Sequence, residues 1–271
     1  MAKRVSTIPA SLPPLILALE TSGSCGSVAL VDGRGCRAEY SLQSSRTHSR
    51  RLLEAVEQLL TAADADWQEL DALAVCLGPG SFTGLRIGLS TVKGLALATG
   101  KPLIGVSSLD GLAAQAVALP GCSLPVCALI DARKQEVFTA FYHGPDYQPA
   151  PPPAPLDDEP AAECPAANNI GPLTRTAPYL ALPPAELAER INQPTLLLGS
   201  GAELYRDLLQ EKLGHLALFA PPQLCYARAG AIGWLACRLW QQERFVDPGR
   251  VTPIYVRSAD AKPPEQAHGK I

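Results

Sequence analysis

The first part of the chain alternates short apolar runs with glycine and serine, a pattern that predicts strands joined by tight hairpins. One apolar run covers Leu15–Leu19, a second covers Ser27–Val31, and a third extended run ends near Tyr40. The small residues Ser22–Gly26 and Gly33 separate these runs and suit tight turns. We therefore predict that three antiparallel strands open the fold.

The next segment changes to a helical period. Apolar side chains recur there on one stripe of a helix, at Leu52, Leu53, Val56, Leu59 and Leu60. A strand at Leu73–Leu77, a glycine-rich loop at Gly78–Gly84, a second helix ending near Thr99 and a strand at Leu103–Val106 follow. The order βββαβαβ requires a mixed sheet covered by helices, and it is the order of a ribonuclease-H-like domain.

A similar pattern restarts at Val126, where two strands joined by a tight turn are predicted up to Tyr142. Four later elements complete this second unit: a strand at Leu196–Leu198, a helix from Ala202, an apolar run near Leu218 and a helix from Arg228 to Gln242. We therefore predict an α/β fold of two ribonuclease-H-like lobes, each a mixed sheet with flanking helices. This duplicated order is the architecture of the actin-like ATPase (ASKHA) superfamily.

The same patterns predict the domain boundaries. Residues 1–13 form a flexible N-terminal extension, residues 14–120 the first lobe, residues 121–261 a second, divergent lobe, and residues 262–271 a tail. Proline is frequent in residues 144–184 and, because it lacks a backbone N–H and fixes φ, no helix or central strand is expected there. We predict that most of this segment is an exposed insertion in the second lobe.

The composition is that of an ordinary globular protein, with 47% hydrophobic and 18% charged residues and a formal net charge of -3. Such a chain does not grip a nucleic-acid backbone by itself, because neutralising phosphates needs clustered Lys and Arg. No apolar run approaches the ~20 residues of a membrane span. Eight scattered cysteines indicate reduced thiols, and Pro13 and Pro14 interrupt any secretion signal. We therefore predict a cytoplasmic protein without membrane contact.

Two small-residue stretches are candidates for binding a phosphate or another anion. Thr21 and Ser22 lie in the first hairpin turn, while Gly80 and Ser81 lie where a strand meets a helix, so that backbone N–H groups can face an anion. The alternative is structural, since hairpin turns need small residues and glycines let a helix approach a neighbouring helix closely. The glycines concerned are Gly84, Gly88 and Gly94.

No pattern identifies a catalytic or metal-binding residue. The chain has neither the Gly-x-Ser-x-Gly nor the His-Glu-x-x-His motif. His48 lies among arginines at the start of the first helix and is predicted to be a surface residue. Asp131, Arg133 and Glu136 lie in the second hairpin, where an actin-like nucleotide site is expected, but charged turn residues are more often only solvated. We therefore predict no catalytic residue and no metal ligand.

Six motifs along the chain occur together in one known family. They are Leu19–Ser22, Thr47–Leu53, Gly78–Gly88, Gly105–Asp110, Ile130–Phe138 and Pro253–Arg257. Together they resemble the bacterial TsaB (YeaZ) family, and the glycine-rich run is the most specific of them. The similarity covers residues 14–142 well and residues 195–262 more loosely, and the proline-rich segment is longer than the family pattern.

That family is a paralogue of TsaD, the subunit that transfers a threonylcarbamoyl group to the adenosine beside the anticodon in tRNAs decoding codons that begin with A. TsaD carries two metal-ligand histidines, and the resemblance puts Ser108 and Leu112 at their positions. Leucine has no lone pair and a neutral hydroxyl replaces imidazole poorly, so this metal site is expected to be lost. The resemblance implies a non-catalytic accessory subunit, not an enzyme by itself.

The resemblance also implies partners. TsaB proteins pair with TsaD through helices of their first lobes, the TsaE ATPase joins the dimer, and tRNA is bound through the complex. It allows a homodimer through the same face. The chain itself requires no cofactor, while ATP or ADP can bind within the complex. The helices are predicted at residues 49–63 and 83–99, with contact residues Leu52, Val56, Leu59, Leu85, Leu89 and Val92.

Two other functions stay open at this point. An independent small-molecule kinase would bind nucleotide between the lobes, although Glu20 stands where such kinases have a catalytic Asp and Gly199–Gly201 is only a weak adenosine motif. A glycoprotease-like hydrolase ranks third, because the sequence supplies neither its nucleophile nor its metal.

Overall fold

The structure is a computed structural model that describes residues 13–43, 49–117, 123–144, 169–170 and 173–256. The first five strands are β1 (Ile16–Glu20), β2 (Cys25–Asp32), β3 (Gly35–Gln43), β4 (Ala72–Gly78) and β5 (Leu103–Ser107). The others are β6 (Val126–Arg133), β7 (Glu136–His143), β8 (Asn169–Ile170), β9 (Leu173–Arg175), β10 (Leu180–Leu182), β11 (Thr195–Leu198) and β12 (Ala217–Phe219). The α-helices are α1 (Ser49–Ala62), α2 (Phe82–Thr99), α3 (Ser108–Val117), α4 (Pro184–Glu189), α5 (Ser200–Leu204), α6 (Arg206–Leu213) and α7 (Ala229–Gln241).

The first sheet has the strand order β3-β2-β1-β4-β5. β1 pairs antiparallel with β2 and parallel with β4, which in turn pairs parallel with β5. Alternate residues of a strand face opposite sides of a sheet, so Leu17 and Leu19 of β1 pack with α1 and α2, whereas Ile16 and Ala18 pack with the cluster that contains α7. The predicted order βββαβαβ is confirmed.

The second sheet repeats the central part of the first. β6 pairs antiparallel with β7 and parallel with β11, and β11 pairs parallel with β12. This arrangement matches that of β1, β2, β4 and β5, which confirms the predicted α/β fold of two ribonuclease-H-like units. The sequence pattern had not predicted α3, and the helix expected from Ala202 is divided into α5 and α6.

Helix α7 crosses between the two units. It follows the second sheet in the chain, but its buried residues Ile232, Gly233 and Leu235 share one core cluster with residues of the first sheet. Gly233 makes this approach close, because a β-carbon there would lie 2.6 Å from Val31 Cγ2. The predicted lobe of residues 121–261 therefore needs correction, since its last helix covers the sheet of the first unit.

Part of the proline-rich segment is also built into the core. Strand β10 pairs with β7, and Leu173, Tyr179 and Leu182 are buried, so the prediction of an exposed insertion is wrong for these residues. Apolar side chains in register with a hydrophobic strand override the local proline content. Residues 1–12 of the predicted extension, the predicted tail, and residues 145–168 and 171–172 of the predicted insertion lie outside the described residues.

A buried carboxyl ties α3 to the second sheet. The hydroxyl of Tyr142 donates to Asp110 Oδ1 at 2.8 Å, and that of Tyr179 donates to Asp110 Oδ2 at 2.8 Å. Burial raises the pKa of Asp110, while these hydrogen bonds and the positive charge of Arg175 act in the opposite direction. In the described ranges, no helix is both long and apolar enough to span a bilayer.

We expect Tyr179→Phe and Tyr142→Phe each to lower the free energy of unfolding by about 1–3 kcal/mol, because each leaves one oxygen of a buried carboxyl without its donor. Denaturant unfolding at pH 7 measures this change. The matched control is Tyr40→Phe on β3, whose ring is exposed, and it should change stability by less than about 0.5 kcal/mol. If all three variants unfolded with the same free energy, the segment that contains Tyr179 would not stabilise the core.

Candidate functional site

The first hairpin turn and the glycine-rich loop meet at the end of the first sheet. The Ser81 N–H donates to the Ser22 carbonyl oxygen at 2.7 Å, and Thr21 Oγ1 donates to the Gly84 carbonyl oxygen at 2.8 Å. Ser81 also caps α2, because its hydroxyl oxygen accepts from the Gly84 N–H at 3.3 Å. The structure therefore brings together all four residues predicted to bind an anion, Thr21, Ser22, Gly80 and Ser81.

These contacts favour the structural interpretation of the four residues. The Ser81 N–H and the Thr21 hydroxyl are already used in hydrogen bonds within the chain. Beside them the Ser22 N–H donates to Glu20 Oε1 at 2.8 Å. The Glu20 carboxyl group therefore uses a donor that a bound anion would need. Burial raises the pKa of Glu20, and its hydrogen bonds to Ser22 partly oppose this shift.

The glycines of α2 contact a strand end, not another helix. A β-carbon on Gly84 would overlap the Thr21 carbonyl oxygen, and one on Gly88 would overlap Thr21 Oγ1. A β-carbon on Gly94 would meet nothing within 4 Å. The alternative interpretation that all three smooth a helix–helix contact within the chain is therefore corrected: two of them let α2 reach Thr21, and the third lies on the surface.

The second hairpin is closed by its own hydrogen bonds. Asp131 Oδ1 accepts from the Arg133 N–H at 2.8 Å, and the Asp131 N–H donates to Ser200 Oγ at 3.3 Å. A β-carbon on Gly199 would overlap the Leu129 carbonyl oxygen, so this glycine packs directly on β6. Asp131 thus connects the second hairpin to Ser200 at the start of α5.

Ser108 and Leu112 lie in the interior. Ser108 Oγ donates to the Pro79 carbonyl oxygen, and Leu112 belongs to the core cluster that includes α7. The interior at these two positions therefore contains a hydrogen-bonded serine hydroxyl and an aliphatic side chain. Within the described ranges, no three His, Cys, Asp or Glu side chains come together in a metal-binding cluster. His48 is outside the described residues.

The six predicted contact residues need correction. All are buried inside the first unit, against the sheet that α1 and α2 cover: Leu52, Val56, Leu59, Leu85, Leu89 and Val92. An apolar stripe identifies the face of a helix that is buried, but it does not say whether the chain itself or a partner buries it. Here the sheet buries them, and the opposite faces of the two helices are exposed.

The outer faces of α1 and α2 carry exposed apolar side chains that the sequence analysis missed. Leu97 is 81% exposed, Leu53 is 48% exposed, and Ser90 and Gly94 of α2 are exposed beside Leu97. Of the large apolar side chains that the structure describes, Leu97 is the most exposed. The signal in the sequence was available, since residues 90, 94 and 97 share one side of a helix opposite Leu89 and Val92.

We expect Gly88→Ala to destabilise the chain by about 1–3 kcal/mol, because its methyl group must displace the buried Thr21 side chain. Gly94→Ala in the same helix is the matched control. It should stabilise the chain by about 0.5–1 kcal/mol, since it adds helix propensity without any clash. Thermal and denaturant unfolding of both variants decide the matter, and equal effects would contradict the packing of α2 on Thr21.

Glu20 predicts a specific pH dependence. Its pKa is raised in the folded state, so that state binds the proton more tightly, and stability falls as pH rises from the ordinary glutamate pKa of about 4.3 through the raised value. Glu20→Gln keeps an acceptor for the Ser22 N–H but cannot ionise. The stability of this variant relative to the wild type should increase with pH across that window, as measured by unfolding at several pH values. A constant difference would show that Glu20 keeps its ordinary pKa.

Known proteins show the same fold and motifs. A family model described as TsaD, tRNA N6-adenosine threonylcarbamoyltransferase, matches residues 42–264. The tRNA threonylcarbamoyladenosine biosynthesis protein TsaB of Bacillus subtilis is 28% identical over 250 residues, which are 91% of this chain and 96% of that protein. The TsaB protein of Escherichia coli is 42% identical over 127 residues, or 47% of this chain and 54% of that protein.

A solved structure agrees with these relatives. YeaZ from Pseudomonas aeruginosa superposes with a TM-score of 0.67 at 28% identity, covering 89% of this chain and 99% of the other. At this coverage the match extends over both units. The chain belongs to the TsaB (YeaZ) family, within the wider family that the TsaD model describes.

Proposed function

We propose that the chain is a non-catalytic accessory subunit in the biosynthesis of threonylcarbamoyladenosine in tRNA. Membership of the TsaB family supports a role in this pathway. In the proposal, the chain pairs with a TsaD-like catalytic subunit in the cytoplasm, and a TsaE-like ATPase joins the pair. The modified base is the adenosine beside the anticodon of tRNAs that decode codons beginning with A.

The observation that carries the proposal is the exposed outer face of α2. Leu97 projects from this face, and the small residues Ser90 and Gly94 beside it allow the backbone of a partner helix to come close. Helix α2 has 18 residues and spans about 27 Å, enough to run along a partner helix. An ordinary stable interface buries about 800 Å² per partner, and α1 beside α2 widens the face that a partner can contact.

Charge on the two helices also suits pairing. Helix α1 carries Arg50 and Arg51 as well as Glu54 and Glu57, whereas α2 carries Lys93 next to Gly94 and no acidic residue. Charges of the opposite sign on a partner helix would orient it, because complementary potentials fix the register of an interface. The proposal also allows a homodimer, in which Glu54 and Glu57 of one copy can face Lys93 of the other.

The other contacts support an accessory role. The Thr21 hydroxyl and Asp131 at the two hairpins are hydrogen-bonded within the chain, which weighs against the kinase alternative. Ser108 and Leu112 hold an interior position instead of a metal. In the proposal, ATP or ADP and the tRNA therefore bind to the complex as a whole.

We expect Leu97→Asp to abolish pairing with the TsaD-like subunit while leaving the fold unchanged, because the leucine is exposed and a buried unpaired charge is costly at an interface. Size-exclusion chromatography of the mixed subunits measures pairing, and circular dichroism checks the fold. Leu204→Asp on α5 is the matched control, since Leu204 is 58% exposed on the second unit. Pairing that survives Leu97→Asp, or is lost equally in the control, would contradict the assignment of this face.

A further inference from the structure

Two distant segments of the chain bring aromatic side chains together on the surface. Phe82 begins α2, and Tyr255 belongs to the segment that follows α7. Their ring centroids lie 6.0 Å apart at an interplanar angle of 41°, with 51% of Phe82 and 48% of Tyr255 exposed. The Arg86 guanidinium carbon lies 3.7 Å from the Phe82 ring centroid. These three side chains are called the aromatic–arginine cluster below.

The cluster is held in place by the core. The Ile254 N–H donates to the Leu77 carbonyl oxygen at 2.8 Å, which attaches the segment to the end of β4. Ile254 packs on both core clusters of the first unit, so its neighbour Tyr255 projects outward beside Phe82. On the other side, Ser81 fixes the first turn of α2. A surface that is anchored from two sides loses little side-chain entropy when it binds a ligand.

The charge of the cluster has no carboxylate partner among residues 13–43, 49–117, 123–144, 169–170 and 173–256. Arg86 forms no ion pair with any residue that the structure describes, although Arg37, Arg133, Arg190 and Arg206 each pair with a carboxylate. Neither α2 nor the Pro253–Val256 segment contains an acidic residue. The cluster therefore offers two half-open rings and a stacked cation, and its natural complement is a flat aromatic group joined to a negative charge.

We propose that the aromatic–arginine cluster contacts an unpaired nucleotide of the tRNA held by the complex. This inference rests on the proposed function, which supplies the tRNA. Unpaired bases of RNA loops stack on aromatic side chains and arginine planes, and the phosphates of the same nucleotides pair with arginine. The chain's net charge of -3 limits the contact to this local surface, so it adds directly to the RNA contacts of the partner subunits.

The cluster and the proposed protein contact are separate parts of α2. Phe82 and Leu97 stand at opposite ends of the helix, about 22 Å apart at about 1.5 Å per residue. Around Leu97 the surface is aliphatic and small, which suits a partner helix, whereas around Phe82 it is aromatic and cationic. A protein partner at the cluster is the competing outcome, because interfaces also use tyrosine and arginine.

The test uses the assembled complex of this chain with its TsaD-like and TsaE-like subunits, and a tRNA that decodes a codon beginning with A. Phe82→Ala and Tyr255→Ala should each raise the Kd for this tRNA at least about fivefold, with assembly unchanged. Arg86→Gln should also weaken binding and reduce the slope of log Kd against log salt by about 0.7. Tyr40→Ala removes an equally exposed ring from β3 and should leave the Kd within about twofold of the wild type.

Each result separates the alternatives. An unchanged Kd in the Phe82 and Tyr255 variants overturns the proposal, as does a loss of assembly, which would assign the cluster to a protein contact. Phe82→Leu keeps an apolar side chain at the start of α2 but removes the ring, so it must weaken tRNA binding even if Phe82→Ala disturbs the fold. Product formation that does not need the chain at all would instead contradict the proposed function.

Discussion

The contact between helix α2 and the end of strand β1 is the constraint on which the rest of the first unit depends. Thr21 donates its hydroxyl hydrogen bond to the Gly84 carbonyl oxygen, and the absence of side chains at Gly84 and Gly88 lets the helix come that close. The position of α2 then follows from β1 and not from a flexible loop. Its buried face contributes to the core, and its outer face exposes Leu97 at one end and Phe82 at the other.

Several backbone N–H groups near this contact, of the kind that a phosphate-binding turn would use, are hydrogen-bonded within the chain. In a phosphate loop, backbone N–H groups must stay free to face the ligand. Here Ser81 donates to Ser22, Ser22 donates to Glu20, and Asp131 is bonded to Ser200 and Arg133. These polar groups therefore form hydrogen bonds within the chain.

Much of this fold could be predicted from the sequence, because strand and helix periods are local properties. The apolar run around Leu17 correctly indicated a strand. The apolar stripe from Leu52 indicated a helix, and the residues around Asp131 indicated the second hairpin. Which element covers each face of a helix or sheet depends on residues that are distant in the sequence. The pattern could not show that the sheet buries Val56 and Leu89, that α7 returns to the first sheet, or that Asp110 finds Tyr142 and Tyr179. The six predicted contact residues consequently lie on the buried sides of α1 and α2.

The central claim is that the chain is needed for tRNA modification without performing the chemistry. The most direct measurement is threonylcarbamoyladenosine formation from tRNA, threonylcarbamoyl-adenylate and ATP by TsaD-like and TsaE-like subunits, with and without this chain. The account predicts product only when the chain is added, and none from the chain alone. Product at the same rate without the chain, or from the chain alone, would contradict it.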